Sequence, residues 1–140
     1  MKILLAVDGS AFSKRMLAYL STHESLMSST NDYTVFTAQP TLPPRARAAL
    51  GKAIVDTYYA EESEKVLAPV TKFLLRHGID AKTLWKVGPA GAAIAKVASD
   101  GKFDLVVMGS HGHGAVMNMV MGSVATQVLA HCTVPVLLVR

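Results

Sequence analysis

The chain has 140 residues, of which 51% are hydrophobic and 17% are charged. This length and composition predict one globular domain over residues 1–140 and exclude an intrinsically disordered protein. A domain of this size buries about two thirds of its unfolded surface, so it needs neither disulfides nor a structural zinc ion to fold. The single cysteine, Cys132, also excludes an internal disulfide and a cysteine-rich metal site.

The net charge of +4 comes from 14 Lys and Arg against 10 Asp and Glu, which are scattered along the chain. Because no basic run follows the geometry of a nucleic-acid backbone, we expect no nucleic-acid partner. The apolar run at residues 3–7 is shorter than a signal-peptide core of about 7–15 residues, and no stretch reaches about 18 uninterrupted apolar residues. The sequence therefore predicts a cytoplasmic protein with no membrane partner.

A strand, a helix and a second strand are predicted at the start of the chain. The continuous apolar run at residues 3–7 is typical of a strand covered on both faces in a parallel sheet. Ser10 can cap a helix that buries one face, since apolar residues recur there at helical spacing: Phe12, Met16, Leu17 and Leu20. Residues 33–38 predict the second strand.

The middle of the chain is predicted to be less regular. Residues 39–56 contain three prolines and three basic residues, and they predict a basic loop. Its basic residues are interpreted first as part of a solvated loop and alternatively as lining the mouth of a ligand site: Arg45, Arg47 and Lys52. A helix follows, with Gly78 at its end and an inner face of Val66, Leu67, Val70 and Leu74. Residues 79–87 predict a third strand.

Two further helix–strand units are predicted in the second half. Gly88 and Pro89 open a helix that Gly101 closes, which is the usual asymmetry of proline and glycine at helix ends. Residues 103–108 predict a fourth strand, and a helix and a last strand at residues 134–139 follow. The alternation of strands and helices predicts an α/β fold: an open, parallel, Rossmann-like sheet with helices on both faces.

The segment between Asp104 and Arg140, a quarter of the chain, contains no Asp, Glu, Lys or Arg. Such a segment is expected to be mostly buried, either in the core or against another surface. Met117, Met119 and Met121 give its loop an apolar and adaptable surface. These methionines are interpreted either as ordinary packing or as a partner-binding patch.

Glycines surround the loop that follows the predicted fourth strand. Ligands of open α/β sheets bind at the carboxyl ends of strands, so this loop and the loop at Asp8 are the predicted positions of a site. Bare backbone lets N–H groups converge on an anion, and a helix that starts at Gly122 and Ser123 has unpaired N–H groups in its first turn. The pattern predicts a polyphosphate site, although a tight turn and a helix start explain it equally well.

Three better-known motifs are absent from the chain. A P-loop needs a lysine after its glycines, and a dinucleotide fingerprint needs three glycines after the first strand. A hydrolase nucleophile elbow needs Gly-x-Ser-x-Gly. These three kinds of site are therefore excluded.

The spacing Gly109-x2-Gly112-x9-Gly122-Ser123 resembles the nucleotide motif Gly-x2-Gly-x9-Gly-Ser/Thr of the universal stress protein family. The likeness extends over nearly the whole chain, from the apolar strand before Asp8 to the ending after residue 134. It implies a five-stranded open parallel sheet in the order 3-2-1-4-5. It also implies that the chain belongs to the branch of the family that binds ATP.

The resemblance also implies roles for individual residues. Asp8 would contact the adenosine, the backbone of Ala38 would meet the adenine, and the motif glycines would hold ribose and phosphates. The ligand would be ATP, ADP or AMP, with Mg²⁺ or Mn²⁺ on the phosphates, and no catalytic residue or protein metal ligand is assigned. The residues assigned to the nucleotide are Ala6, Val7, Asp8, Ala38, Met108, Gly109, Gly112, His113, Gly122, Ser123, Val124 and Ala125.

The leading interpretation is an ATP-binding stress-response protein that regulates partner proteins through its nucleotide state and hydrolyses ATP slowly at most. The resemblance implies a homodimer through the last strand, which is predicted to begin at Val134 and end at Val139. An exposed apolar sheet edge also invites pairing with another chain. Two alternatives remain open: a nucleotide-independent dimeric interaction protein, and a slow ATPase that phosphorylates itself on Ser110 or Ser123.

His111 and His113 lie two residues apart in the glycine loop and could reach one ligand together. They are interpreted as phosphate contacts, as half of a metal site, or as solvent-exposed loop residues. Since imidazolium adds positive charge near phosphates, nucleotide affinity is predicted to strengthen as the pH falls from about 8 to 6. Cys132 is predicted to be buried, and Trp85 to pack within its strand.

Overall fold

The structure, a computed structural model, describes residues 1–113 and 118–140. The strands in these residues are β1 (Lys2–Ala6), β2 (Asp32–Gln39), β3 (Lys82–Val87), β4 (Leu105–Gly109) and β5 (Val136–Val139). The helices are α1 (Ala11–Ser21), a short 3-10 helix (Glu24–Leu26), α2 (Pro44–Leu50), α3 (Lys52–Arg76), α4 (Ala90–Asp100) and α5 (Ser123–His131). None of these helices has the length and apolar composition needed to cross a membrane. Met117, for which packing or partner binding was predicted, lies outside the described residues.

The strands form one parallel sheet in the order β3-β2-β1-β4-β5. β1 lies at the centre, where Leu5 pairs with Val35 of β2 on one side and with Val107 of β4 on the other. The predicted α/β class and strand order are therefore confirmed. The winding of the sheet reverses at β1, and the carboxyl ends of β1 and β4 border the crevice at that point.

A hydrophobic layer covers each face of the sheet. Ile3, Leu5 and Val7 pack on the face covered by α1 and α3. Leu4 and Ala6 pack on the opposite face, which α4 and α5 cover. A central strand of a parallel sheet is buried on both faces, which explains why this run is apolar without interruption. Each large apolar side chain that is fully buried in these layers contributes about 1.5–3 kcal/mol.

The region predicted as an irregular basic loop, residues 39–56, is mostly helical. α2 begins at Pro44 and α3 begins at Lys52. Proline is tolerated in the first turn of a helix, where its missing N–H has no intrahelical partner, so Pro44 starts α2 instead of preventing it. Gly51, with a positive φ of 82°, separates the two helices. The prediction of a loop was wrong because it counted the prolines only as helix breakers.

Three strands are shorter at their start than the sequence predicted. β3 begins at Lys82 rather than at residue 79, and Ile79 is instead buried in the core. β4 begins at Leu105 rather than at residue 103. β5 begins at Val136 rather than at Val134, because Pro135 has no N–H to donate to a sheet. Ile79 and Phe103 are buried by packing outside the strands, and Val134 is half-buried.

The segment without charged residues is only partly buried in the single chain. Its strand β4 is buried, but Met119, Val120 and Leu129 are 52%, 76% and 46% exposed. The core therefore does not supply the burial that the composition predicted. The exposed apolar side chains leave a surface that another molecule could cover.

Candidate functional site

A cavity of about 550 Å³ opens at the carboxyl ends of β1, β2 and β4, where the winding of the sheet reverses. All twelve residues that the sequence assigned to nucleotide binding line this cavity. They come from the end of β1 and the residues after it, the end of β2, the end of β4 and the loop after it, and the start of α5. The sheet thus brings together residues as distant in sequence as Ala6 and Ala125.

Several lining residues were not assigned from the sequence. Phe36 and Thr37 could have been found, because they precede Ala38 on the same strand end. Ala90 and Ile94 were missed because no motif was assigned to them, and only the packing of α4 on the sheet places them at the cavity. The unassigned lining residues are Ser13, Phe36, Thr37, Pro40, Ala90, Ile94, His111 and Met119.

One side of the cavity is built mainly from backbone. A Cβ at Gly109 would lie 2.8 Å from the Cβ of Phe12, so the close packing of α1 on the end of β4 requires glycine. Gly122 donates its N–H to the carbonyl of Ser110 at 2.8 Å and closes the base of the loop between them. α5 then begins at Ser123, and no described side chain caps its first turn. The open N–H groups of that turn border the cavity with the partial positive charge of a helix N-terminus.

Two further glycines keep this side of the cavity free of side chains. A Cβ at Gly112 would lie 2.5 Å from Oδ2 of Asp8. A Cβ at Gly122 would lie 3.1 Å from the Cα of His111. An added Cβ at Gly112 would thus clash with a side chain, whereas an added Cβ at Gly122 would clash with backbone. A larger residue at Gly112 would displace the Asp8 carboxylate, and one at Gly122 would meet the backbone of Ser110 and His111 at the base of the loop.

Asp8 is held in a network of hydrogen bonds at the end of β1. Its Oδ1 accepts the N–H of Ser10 and the hydroxyl of Ser13, both at 2.9 Å. Its Oδ2 accepts the N–H of His113 at 3.3 Å. Burial alone would raise the pKa of Asp8, but the hydrogen bonds from Ser10 and Ser13 and the nearby His113 lower that pKa below its ordinary value. The carboxylate is therefore ionised near neutral pH, and Oδ2 can accept a further donor from the cavity.

The end of β2 presents backbone groups to the cavity. The N–H of Val7 donates to the carbonyl of Phe36 at 2.9 Å, and the N–H of Gly88 donates to the carbonyl of Gln39 at 2.8 Å. Alternate residues of a strand point their backbone groups to the same neighbour, so Ala38 points toward the side of β1. Because β1 has ended at that level, the N–H and carbonyl of Ala38 face the cavity, which can therefore receive the polar edge of a planar ligand.

The two loop histidines hold the loop together. Nε2 of His111 donates to the carbonyl of Met119 at 2.9 Å, and its Nδ1 lies 2.9 Å from the hydroxyl of Ser110. Nε2 of His113 donates to the carbonyl of Asp8 at 2.7 Å. The described residues contain no group of three or more His, Cys, Asp or Glu that could hold a metal ion. Each ring thus ties the loop to a carbonyl, a role that the sequence did not predict.

The other singled-out side chains lie away from the cavity or are more exposed than predicted. Cys132 is half-buried rather than buried. Trp85 is 37% exposed on the edge strand β3, so the prediction that it packs within its strand was only partly right. Arg45, Arg47 and Lys52 do not line the cavity.

The model of the universal stress protein family matches residues 1–140. The chain is 33% identical over 139 residues to universal stress protein Slr1230 of Synechocystis, covering 99% of this chain but only 42% of that protein. It is also 33% identical over 138 residues to a universal stress protein of Thermus aquaticus, covering 99% of this chain and 97% of that protein. The chain thus spans less than half of the first relative and nearly all of the second.

Solved structures share the fold at low sequence identity. Protein MJ0577 of Methanocaldococcus jannaschii has a TM-score of 0.81 at 24% identity, covering 99% of this chain and 94% of that one. An Arabidopsis thaliana family protein with AMP bound has a TM-score of 0.71 at 15% identity, covering 99% and 90%. The Archaeoglobus fulgidus protein in complex with dAMP has a TM-score of 0.67 at 18% identity, covering 100% and 98%. With the family match over the whole chain, these likenesses lead to one conclusion: the chain belongs to the universal stress protein family.

Proposed function

We propose that this chain binds an adenine nucleotide, with ATP as the main ligand, in the cavity at the carboxyl ends of β1, β2 and β4. The observation that carries the proposal is the open first turn of α5 beside Gly112 and Gly122, which is suited to a phosphate group. The cavity of about 550 Å³ is within the range of about 300–1,000 Å³ typical of small-molecule sites. Structures of fold relatives with AMP or dAMP bound support the choice of adenine.

The two sides of the cavity suit the two ends of the ligand. The backbone N–H and carbonyl of Ala38 match the donor and acceptor on the edge of adenine, and Pro40 and Ile94 supply apolar contact with its faces. Oδ2 of Asp8 can accept a ribose hydroxyl. The phosphates then extend to the glycine loop and the first turn of α5. No Lys or Arg is needed along this path, because helix and loop N–H groups face the phosphate charge.

The Mg²⁺ or Mn²⁺ that accompanies ATP finds few protein ligands in this cavity. Asp8 is the only carboxylate among the described lining residues, and its Oδ1 already accepts two hydrogen bonds. A magnesium ion usually keeps several waters and binds through substrate phosphates. We therefore assign coordination of the ion to the phosphates and water, with the hydroxyl of Ser123 within the same part of the cavity.

A regulatory role fits this cavity better than fast catalysis. Phosphoryl transfer needs a positioned nucleophile, metal ligands and cationic groups around the transferred phosphate. The described residues lining the cavity include no Lys or Arg, and the one carboxylate is engaged by Ser10, Ser13 and His113. We propose that the protein acts in the stress response as a nucleotide-dependent regulator that hydrolyses ATP slowly at most.

We further propose a homodimer through the outer edge of β5. In the described residues β5 pairs only with β4, and its four residues carry no charge, although Arg140 follows directly after them. Antiparallel pairing of two copies of this edge would cover part of the exposed apolar surface at Leu129. Sedimentation of the wild type and of Leu137→Lys, which adds charge to the edge, tests this arrangement. A monomeric wild type would contradict it.

The proposal is tested by identifying the ligand that the protein carries. Freshly purified protein is denatured, and the released small molecules are separated by chromatography and identified by mass spectrometry. We expect adenine nucleotide near one equivalent per chain, or, if it is lost on purification, saturable heat on titration with ATP–Mg²⁺ and less with GTP–Mg²⁺. Absence of both released nucleotide and heat at millimolar ATP–Mg²⁺ would overturn the proposal and favour a nucleotide-independent interaction protein.

Incubation with ATP labelled on the γ-phosphate separates binding from catalysis. A nucleotide-dependent regulator keeps the label on ATP over the time of the binding experiment. Label on the protein itself would instead identify a self-phosphorylating enzyme, with Ser110 and Ser123 as the first residues to replace. Rapid release of labelled phosphate would identify an ATPase.

A further inference from the structure

We propose that the outer edge of β3 is a docking site for an extended segment of a partner protein, which adds to the sheet as a further strand. The segment would carry acidic residues on both sides of an apolar residue. In strand addition, main-chain hydrogen bonds supply affinity and pockets for alternate side chains supply specificity. This site lies outside the nucleotide cavity, and the proposal does not depend on nucleotide binding.

The backbone of β3 has one side available for pairing. Within the described part of the chain, β3 is the last strand of the sheet and pairs with β2 alone. Gly88 donates its N–H to Gln39 of β2, so the backbone groups of even-numbered residues point to β2. Those of Thr83, Trp85 and Val87 therefore point outward. The N–H and carbonyl groups of these three alternate residues can form a ladder of hydrogen bonds with an incoming strand.

A groove of about 640 Å³ lies beside this edge, between β3 and α4. Its walls include Leu84 of β3, Ala93 and Val97 of α4, and Phe103. Five of the six residues of β3 are exposed, and Leu84 alone is half-buried. An apolar side chain of an added strand, placed next to Leu84, would enter this groove and become buried from solvent.

The opposite face of β3 is also apolar. Trp85 and Val87 lie on this face, with 37% and 39% of their surfaces exposed. Neighbouring side chains on adjacent strands contact each other across the sheet. An added strand would cover both residues with its own apolar side chains, so both faces of β3 favour the same occupant.

Charge on β3 defines the chemistry of the partner. Lys82 and Lys86 flank Leu84 on the groove face, two residues away on either side. Lys82 lies 3.8 Å from Asp32 in an exposed pair, and among the described residues Lys86 has no acidic partner. An added strand with the pattern acidic-x-apolar-x-acidic would place carboxylates opposite both lysines, and opposite charges across a sheet stabilise the pairing.

A second copy of this chain fits the same edge poorly. Antiparallel pairing of two β3 strands about Leu84 would place Lys82 of each copy opposite Lys86 of the other. Pairing about Trp85 would gather the same four lysines on one face of the joined sheet. Like charges placed in this way destabilise the pairing of strands. An acidic segment of a different protein removes this repulsion.

The experiment uses Trp85, the single tryptophan of the chain, as a local fluorescent reporter. The full-length protein is titrated with the peptide Thr-Glu-Val-Leu-Val-Glu-Thr, whose pattern is the same in both strand directions. The control peptide has Lys in place of both Glu residues. We expect a saturable change in fluorescence with the Glu peptide and binding weaker by about tenfold with the Lys peptide. In the variant Lys82→Glu/Lys86→Glu, the preference is expected to reverse.

Amide hydrogen exchange identifies the mode of binding. Strand addition is expected to slow exchange at the amides of Thr83, Trp85 and Val87, and to change Leu84 and Lys86 little, because those amides already face β2. No fluorescence change at millimolar peptide would overturn the proposal. Equal binding of the two peptides would also overturn the proposal. A third contrary result is an unliganded protein that self-associates and becomes monomeric only in the variant Trp85→Lys, because this would identify β3 as a self-association edge.

Discussion

The two halves of the cavity offer a ligand different kinds of contact. One half is formed by β4 and α5, and the other is formed by β1, β2 and α4. In the first half, Gly112 and Gly122 remove side chains so that backbone N–H groups are open to the cavity. In the second half, the contacts come from the carboxylate of Asp8, from apolar side chains and from the backbone at Ala38. The proposed phosphate site therefore needs no charged side chain, because backbone N–H groups face the ligand. The difference between the halves also predicts that substitutions in the two halves affect phosphate and adenosine separately.

The largest effect is expected for Gly122→Val. The added side chain meets the backbone of Ser110 and His111, so the base of the glycine loop must shift relative to the start of α5. We expect the Kd for ATP to rise about 100-fold, equivalent to about 2.8 kcal/mol, while the Kd for adenosine changes by about threefold or less. Calorimetric titration with both ligands measures this difference. Ala60→Val, on the exposed face of α3, is the control; equal losses for ATP and adenosine would show that the halves are not independent.

The second prediction concerns the contact between the two halves. In the wild type, Gly112→Ala is expected to weaken ATP binding about tenfold, because its Cβ would displace the Asp8 carboxylate 2.5 Å away. In an Asp8→Ala background the same substitution is expected to cost about twofold or less. Gly122→Ala, which meets backbone, should cost the same in both backgrounds. A Gly112→Ala cost that is independent of Asp8 would contradict the proposed contact.

The third prediction concerns the stability of the side-chain half as a function of pH. The pKa of Asp8 is lowered in the folded chain, so its carboxylate stabilises the fold above the unfolded pKa of about 3.9, and this contribution is lost as the pH falls through the lower folded value. Asp8→Asn is expected to reduce the free energy of unfolding by about 1–2 kcal/mol at pH 7. Urea unfolding should give values for the two proteins that converge as the pH falls below about 3.9 and through the lower folded pKa of Asp8. If the difference in the free energy of unfolding between the two proteins persists unchanged at low pH, the ionised carboxylate of Asp8 is not its cause.

The smallest effect is expected for His111→Ala. The ring of His111 holds the carbonyl of Met119 at 2.9 Å and so keeps the ends of the glycine loop together. Loss of one such hydrogen bond, worth about 1 kcal/mol, is expected to weaken ATP binding about fivefold and adenosine binding less. His77→Ala is the matched control, because His77 also bonds a carbonyl but lies at the end of α3. Equal effects of the two variants would remove the specific role of His111.

The sequence predicted the backbone half of the site better than its surroundings. Gly109, Gly112 and Gly122 were identified because a fixed spacing of glycines is visible in the chain itself. Ala90 and Ile94 were missed, since their place beside the cavity depends on α4 crossing back over the sheet. The bonds of His111 and His113 to carbonyls were also missed, because the accepting residues lie elsewhere in the chain.

By itself, the sequence determined the type and order of most strands and helices, because apolar runs, helical spacing and helix ends are local properties of the chain. It also determined where backbone is bare enough for an anion, since glycine has no side chain in any fold. Only the tertiary structure decided that the Asp8 carboxylate lies against Gly112, that Ala90 and Ile94 of α4 line the cavity, and that a groove lies beside the edge strand β3. These features depend on which strands become neighbours, and that choice is made by long-range packing on both faces of the sheet, which no local pattern records.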